Sequence, residues 1–505
     1  MYRAFALHGR TPPVHIRVPR FMNRSLAVAV PLVSAFALSG IASVQAASRV
    51  DRLVELLEQN SLTGSHEDFI LPDSDDLAAI PQDLDTNPLT PEKIALGRLL
   101  FHETAVGTAT SAPDRVETYA CASCHHAAAG FKSGIAQGLG DGGSGFGRDG
   151  SRRRLARGLD PNAGDTDPAK PDFQPVTSPT VLNSAYQDVM LWNGALGSRP
   201  GSVNIDEITL ENKKPDFGPL DAKVNQFGLP GLETQVLAGT RVHRLSFDDG
   251  SILTEHPDYA RMYAAAFPDG PDESLIPPGS LVSAEALGAA LAIAAYERTV
   301  LANRAPFQRW LRGDRGALRG RELAGAELFF GKAGCVRCHT GPALSSWPDA
   351  KEGELFFAVG FADLDTRRRD ILGTVGDVDS RGRGGFTDTP ADDFKFKVPP
   401  LYNLADTRVF GHGASFRSVR DVIRYKNAGI VDPGDAQNGH GTNAIDPTGL
   451  TAPLGLTGRE IGDLTRFVER SLHDPDLERY VPDSLPSGNC FPVADFRAAT
   501  ELRCF

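Results

Sequence analysis

Two copies of one five-residue pattern constrain this chain more than any other feature. Cys121-Ala122-Ser123-Cys124-His125 and Cys335-Val336-Arg337-Cys338-His339 both read C-x-x-C-H, the signature of covalent c-type haem attachment. The spacing follows from the chemistry. Two thiols must reach the two vinyl groups of one porphyrin while the adjacent imidazole binds the iron. A redox dithiol would need βαβ surroundings and no histidine, and a zinc finger would need a paired H-x3–5-H about a dozen residues on. Neither context is present. The other two of the six cysteines, Cys490 and Cys504, lie in a Pro/Gly-flanked tail and read as a stapling disulfide in an oxidising compartment.

Haem of this kind is attached outside the inner membrane, and the amino-terminal sequence agrees. Met22-Asn23-Arg24 opens a basic segment, Leu26 to Leu38 is almost wholly apolar, and Val44-Gln45-Ala46 fits a small-residue cleavage site. Residues 1–46 are therefore expected to be an upstream extension (1–21) plus a signal peptide cut after Ala46. The competing reading, an uncleaved anchor, meets an apolar run short for a bilayer. Ala284 to Ala295 is short, alanine-rich and followed by Tyr-Glu-Arg, so it reads as a packed helix, and no membrane span is expected after cleavage. The expected location is the periplasm. Formal charge is −12, and the first 46 residues hold five arginines and no acid, so the mature chain is more acidic still. That balance argues against a nucleic-acid partner.

At 505 residues the chain is long enough for two or three domains with proper cores. A lead-in at 47–88 contains a short helical patch, Val50–Leu57, whose role is not readable. Thr90 as N-cap and Pro91 at the first helical position open a helix over Ile94–Phe101 ahead of the first motif. Gly320–Phe330 stands in the same relation to the second. The fold expected is mainly α: two cytochrome c-like helical domains, each carrying one covalently bound haem, with long loops. The amino-terminal domain is set at 89–295, the carboxy-terminal domain at 296–480 and the tail at 481–505, the two domains joining near a helix at Ser283–Asn303. Strands are expected to be sparse. Gly138–Gly158 and Gly376–Gly385, rich in glycine, arginine and aspartate, read as loops.

The sixth position on each iron separates function classes. A haem used only for electron transfer commonly has Met or His as second ligand, whereas an open iron binds small molecules. After cleavage only Met190 and Met262 remain, and neither follows the second motif; between His126 and His243 there is no histidine. An open first iron is the consequence. His126 follows the expected proximal ligand and reads as structural or exposed; Met190, beside Leu191 and Trp192, reads as core.

With these residues in place, the chain resembles the bacterial di-haem cytochrome c peroxidases and the methylamine utilisation protein MauG, over roughly Leu89 to Gly429. The resemblance is carried by Leu96-Gly97-Arg98-Leu99-Leu100-Phe101, Ser178 to Asn183, Trp192-Asn193-Gly194, Phe329 to Pro342, Phe396-Lys397-Val398-Pro399, and Gly411-His412-Gly413 leading into Val422 to Gly429. It implies a peroxide site at the amino-terminal haem, an electron relay at the carboxy-terminal haem, and Trp192 between them. Cys121, Cys124, Cys335 and Cys338 are the attachment residues and His125 and His339 the proximal ligands. Distal to the peroxide haem, Gln235 matches the family's glutamine, but Leu245 stands where the family has a glutamate. Peroxide cleavage needs a proton-transfer group, so His243, next to Arg244, takes that role, with Glu233 as fallback. At the second haem the family's distal position maps to Lys426, with Tyr425 beside it as the alternative. The family's calcium maps to Thr177, Thr407 and Val409, with threonine in the asparagine's place, which leaves calcium binding open.

Three functions follow. The first is a periplasmic peroxidase reducing hydrogen peroxide with electrons from a small cytochrome c or cupredoxin. The second is a MauG-like enzyme that uses peroxide to reach a high-valent di-haem state and oxidises Trp or Tyr on a partner protein. The third is a non-catalytic electron carrier. The missing ligands favour the enzymes, and the first is the expectation taken forward.

Overall fold

The computed structural model describes residues 49–505, apart from 109, 111, 165–166, 198–226, 249, 348–349, 351–354, 366, 369–370, 374–376, 430–451 and 505. The expected signal segment lies outside the described residues. The longer helices, in chain order, are α1 (residues 49–59), α2 (Pro91–His102), α3 (Gly231–Val242), α4 (Pro257–Ala266), α5 (Ala284–Thr299), α6 (Arg321–Phe330), α7 (Val419–Ala428), α8 (Gly458–Arg466) and α9 (Phe496–Leu502). Among the described residues the strands make two short antiparallel pairs, β1 (Gly143–Ser144) with β2 (Arg154–Leu155) and β3 (Phe356–Phe357) with β4 (Phe396–Lys397). The protein is mainly α. No described helix is long and apolar enough to cross a membrane.

Local chemistry sets the helix starts. Thr90 Oγ1 accepts from the Lys93 N–H at 3.2 Å with Pro91 at the first position, and Ser283 Oγ accepts from the Ala286 N–H at 3.1 Å. Each satisfies a backbone donor that a helix leaves orphaned. From Ala286 to Thr299 every residue of α5 is buried, as its unbroken alanine-rich run requires.

Two helix crossings organise the core. α2 packs on α5 and α6 packs on α8, and each crossing is made at a glycine. A Cβ on Gly97 would lie 1.9 Å from the Ala292 carbonyl oxygen, and one on Gly325 would lie 2.1 Å from that of Asp463. Only a residue without a side chain lets the backbones approach so closely. The helix before each C-x-x-C-H motif is thus fixed in the same way. The lead-in has a definite place: Leu53 and Leu57 are fully buried, and the Asn60 amide donates to the Phe330 carbonyl at the end of α6 at 3.2 Å.

The two glycine-rich segments are not bare loops. Gly138–Gly158 contains the β1–β2 pair and is threaded by buried Arg153, whose guanidinium donates to the carbonyls of Leu139 and Gly140. Gly376–Gly385 carries the short helical turn Asp377–Ser380 and leads into a second, Arg383–Thr387. Arg153 in the first, and Arg381 in the second, which pairs with Asp393 at 2.8 Å, serve as internal ties, which composition alone does not distinguish from solvated charge.

Candidate functional site

Both C-x-x-C-H motifs adopt one conformation. Cys121–Ser123 and Cys335–Arg337 are single 3-10 turns, and the histidine that follows donates its N–H back to the first cysteine's carbonyl, at 3.1 Å for His125 and 2.9 Å for His339. This closed turn brings two thiols and an imidazole to one side. Neither cysteine pair forms a disulfide. Burial pushes the thiols of Cys124 and Cys335 up to about 12 and raises that of Cys121 as well, so they are neutral thiols rather than metal-binding thiolates.

The second motif opens into a cavity of ≈ 290 Å³. His339 Nδ1 lies 3.2 Å from the Leu344 carbonyl oxygen, a contact that holds the proton on Nδ1 and leaves the lone pair on Nε2. Burial lowers His339 to about 4, against the Leu344 carbonyl and with help from the charge of Lys426. Burial also lowers the Lys426 amine to about 8. Its Nζ stands 5.0 Å from the centre of the Phe361 ring. Tyr425 is turned elsewhere: its hydroxyl meets the carbonyls of Val359 and Gly360, 3.1 Å from each, and its ring packs on Phe361 and Phe416.

The cavity wall is mostly apolar and carries four cations, Lys132, Arg337, Lys397 and Lys426, with no carboxylate among the described lining residues. Burial lowers Lys132 to about 8 and Lys397 to about 7. Buried amines without an anionic partner are costly, and a guest bringing two carboxylates into an apolar slot beside paired thiols and a free imidazole nitrogen would match them. Haem has that composition. The residues fit it.

Around the first motif the arrangement differs. His125 is buried and lowered to about 4, chiefly by burial, then by the nearby charge of His243; the carbonyls of Phe131 and Pro179 oppose this. Its Nδ1 is buried and makes no full hydrogen bond. α3 and the residue that caps it present one partly open stripe, Gln235, Gly239 and His243, on an otherwise largely buried helix. Among the described residues a Cβ on Gly239 would meet nothing within 4 Å, so none of them fills the stripe between the amide and the imidazole. His243 Nδ1 lies 2.9 Å from Oδ2 of Asp172 and 3.4 Å from Nε2 of Gln174. Asp172 carries no signal in the sequence. It is 71 residues from His243, and no local pattern marks it.

Several expectations change. Glu233 is not available as a distal acid, because it is fully buried and both its oxygens accept from Arg298, at 2.9 and 2.6 Å, with Asn87 on one of them. His126 is structural: it is buried against Phe146 with a ring distance of 4.8 Å. The calcium positions do not form a cage. Thr177 Oγ1 donates to the Gly411 carbonyl at 3.0 Å, its carbonyl accepts from Trp192 Nε1 at 2.7 Å, and the Val409 carbonyl faces the Lys132 amine at 3.5 Å. Thr407 turns its hydroxyl to the Val409 N–H at 3.3 Å. Calcium calls for several oxygens, usually with carboxylates among them, so these residues do not fit it. Trp192 lines the second cavity, with its ring 6.4 Å from that of His412.

Residues 91–316 match the family described as Di-haem cytochrome c peroxidase. Cytochrome-c peroxidase IdrP1 of Denitromonas iodatirespirans is 28% identical over 402 residues, which is 76% of this chain and 82% of that protein. Methylamine utilization protein MauG of Methylorubrum extorquens is 24% identical over 389 residues, 77% of this chain and 80% of that one. Among solved structures, a MauG-like protein associated with microbial copper homeostasis covers 82% of this chain and 97% of its own at 22% identity and a TM-score of 0.49. Twin thiol-and-imidazole turns, joined to the family and sequence matches, make the chain a haem oxidoreductase. Its residues 91–316 are similar to the di-haem cytochrome c peroxidases, and over about three quarters of its length the chain is similar to proteins named cytochrome c peroxidase and MauG.

Proposed function

We propose that this chain is an exported periplasmic di-haem peroxidase with two cytochrome c-like units, each haem held covalently, through Cys121 and Cys124 in the first and Cys335 and Cys338 in the second. His125 and His339 supply the proximal nitrogens. The observation that carries the reading is the asymmetry of the facing groups: an amine, Lys426, near His339, against an amide, a bare glycine and an imidazole along α3 near His125. The second unit relays electrons and the first receives hydrogen peroxide.

Bound haem supplies the electron chemistry of O–O cleavage. The chain's own residues do the rest. Gln235 offers an amide to orient the peroxide, and His243 Nε2 takes a proton from one oxygen and returns it to the other, which leaves as water. Two electrons from a small cytochrome c or cupredoxin and two protons complete the reduction to two waters. Trp192 lies beside the second cavity, its backbone carbonyl accepting from the Lys397 N–H at 2.8 Å, and its indole is offered as the electron path between the units.

A second reading, oxidation of Trp or Tyr on a partner protein, is favoured by one observation: Lys426 rather than methionine stands at the second site, which predicts a lower potential there. Mixing the ferric holoprotein with one equivalent of peroxide separates the readings. Turnover that requires a reduced small donor supports the peroxidase. A long-lived oxidised spectrum without donor supports the partner-protein oxidase, and no reaction leaves an electron carrier.

A further inference from the structure

An imidazole accepts a proton at one ring nitrogen only if that nitrogen carries the lone pair, and the tautomer is set by whatever the other nitrogen binds. At His243 that partner is Asp172. A carboxylate only accepts, so the 2.9 Å contact between Nδ1 and Oδ2 places the proton on Nδ1 and the lone pair on Nε2. The Asp172 side chain is 10% exposed and that of His243 36%, so the carboxylate is the more buried member of the pair.

The placement is built from both sides. The Asp172 N–H donates to the Asp141 carbonyl at 2.8 Å, and its carbonyl accepts from the Gly140 N–H at 3.1 Å. A Cβ on Gly140 would lie 2.6 Å from Asp172 Oδ2, so the carboxylate reaches its position only because residue 140 has no side chain. Asp141, fully buried, pairs with Arg115 and Arg244. Arg244 follows His243 directly and is held at φ +59°, a left-handed conformation that costs a non-glycine residue about 1–2 kcal/mol. Its carbonyl accepts from the Tyr119 hydroxyl at 2.9 Å. Two acids whose backbones are bonded to each other, Asp141 and Asp172, therefore hold the guanidinium and the ring of two adjacent residues, Arg244 and His243, while the Tyr119 hydroxyl holds the Arg244 backbone. Strain kept in place this way is common at functional sites.

We propose that Asp172 is the positioning residue of the peroxide site, holding His243 in the tautomer whose Nε2 receives the peroxide proton and stabilising the imidazolium that results. This rests on His243 as the proton-transfer group. Among the described residues, the charged and titratable groups around the pair include Asp141, Arg115, Arg244, Tyr119, Cys124 and His125. Removing the negative charge of Asp172 makes the imidazole a weaker base, so the acid limb of the pH profile moves to lower pH while the maximum rate falls.

The test uses the holoprotein and two readings from pH 5 to 9: the rate of reaction with peroxide, and cyanide affinity read from the haem absorbance, since hydrogen cyanide also surrenders a proton on binding. Asp172→Asn is expected to reduce both by roughly ten- to a hundredfold and to lower the acid limb by about one pH unit. Asp172→Glu restores most of the loss. Gly140→Ala, which keeps the charge but displaces the carboxylate, falls between, and it decides the matter if Asp172→Asn does not fold. Wild-type rate, cyanide affinity and acid limb in Asp172→Asn, with His243→Gln impaired, overturn this proposal alone. An unimpaired His243→Gln overturns the reading beneath it. A resting low-spin centre that turns high-spin in His243→Gln overturns both, because His243 would then be an iron ligand.

Discussion

Lys426 and Tyr425 are neighbours in sequence with opposite fates: the hydroxyl is tied to two backbone carbonyls, while the amine is held beside His339 at a lowered proton affinity. Lys426→Met is therefore expected to raise the reduction potential of the second centre, since a thioether ligand favours the ferrous state, and Tyr425→Phe to leave it unchanged; potentiometric titration of the holoprotein checks both. Glu297 gives a pH prediction. Burial, then the nearby charge of Glu233, pushes its carboxyl up to about 8, against the pull of Arg298. The folded state thus holds a proton that the unfolded chain releases near pH 4.5. This stabilising contribution is complete below that value and lost as pH rises through about 8. Thermal unfolding followed between pH 5 and 8 should show a decline that Glu297→Gln flattens. None of these environments was legible from residue type, because burial and facing charge depend on segments distant in sequence.

Elements were more legible at their ends than at their crossings. The caps at Thr90 and Ser283 follow from a hydroxyl placed before a helical run, a contact within three residues. The crossings at Gly97 and Gly325 depend on partners in other helices, Ala292 and Asp463. In the sequence Gly97 is one letter of a family motif, and its mechanical role emerges once α5 is laid against it. Gly97→Ala and Gly325→Ala should each destabilise by about 1–3 kcal/mol or more, despite alanine's higher helix propensity. Chemical denaturation of each variant measures it. A gain in stability at either position would mean that the two helices do not cross there.

At the scale of the whole molecule, the tail reaches back to the first motif. Cys490 and Cys504 form a disulfide closing a separation of 14 residues. Within this loop the Pro492 carbonyl accepts from Ser123 Oγ, inside the first C-x-x-C, at 2.7 Å. Asp495 pairs with Arg153, and Glu501 accepts from the Phe146 and Gly147 N–H groups at 2.8 and 2.7 Å. The tail thereby holds the segment that carries Gly140 and Asp141. Cys490→Ser is expected to cost about 3 kcal/mol by the chain-entropy argument, read as a lower unfolding midpoint under oxidising conditions, a difference that vanishes under reducing ones. The two C-x-x-C-H turns, the helical class and the pairing of the last two cysteines could all be read from the chain alone, because each is written in residues close together along it. That Asp172 meets His243, that Glu233 is consumed by Arg298, and that Lys426 rather than Tyr425 stands beside His339 are outcomes of three-dimensional packing. They depend on which distant segments come together, and a polar group's chemistry is set by its buried partner rather than by its neighbours in sequence.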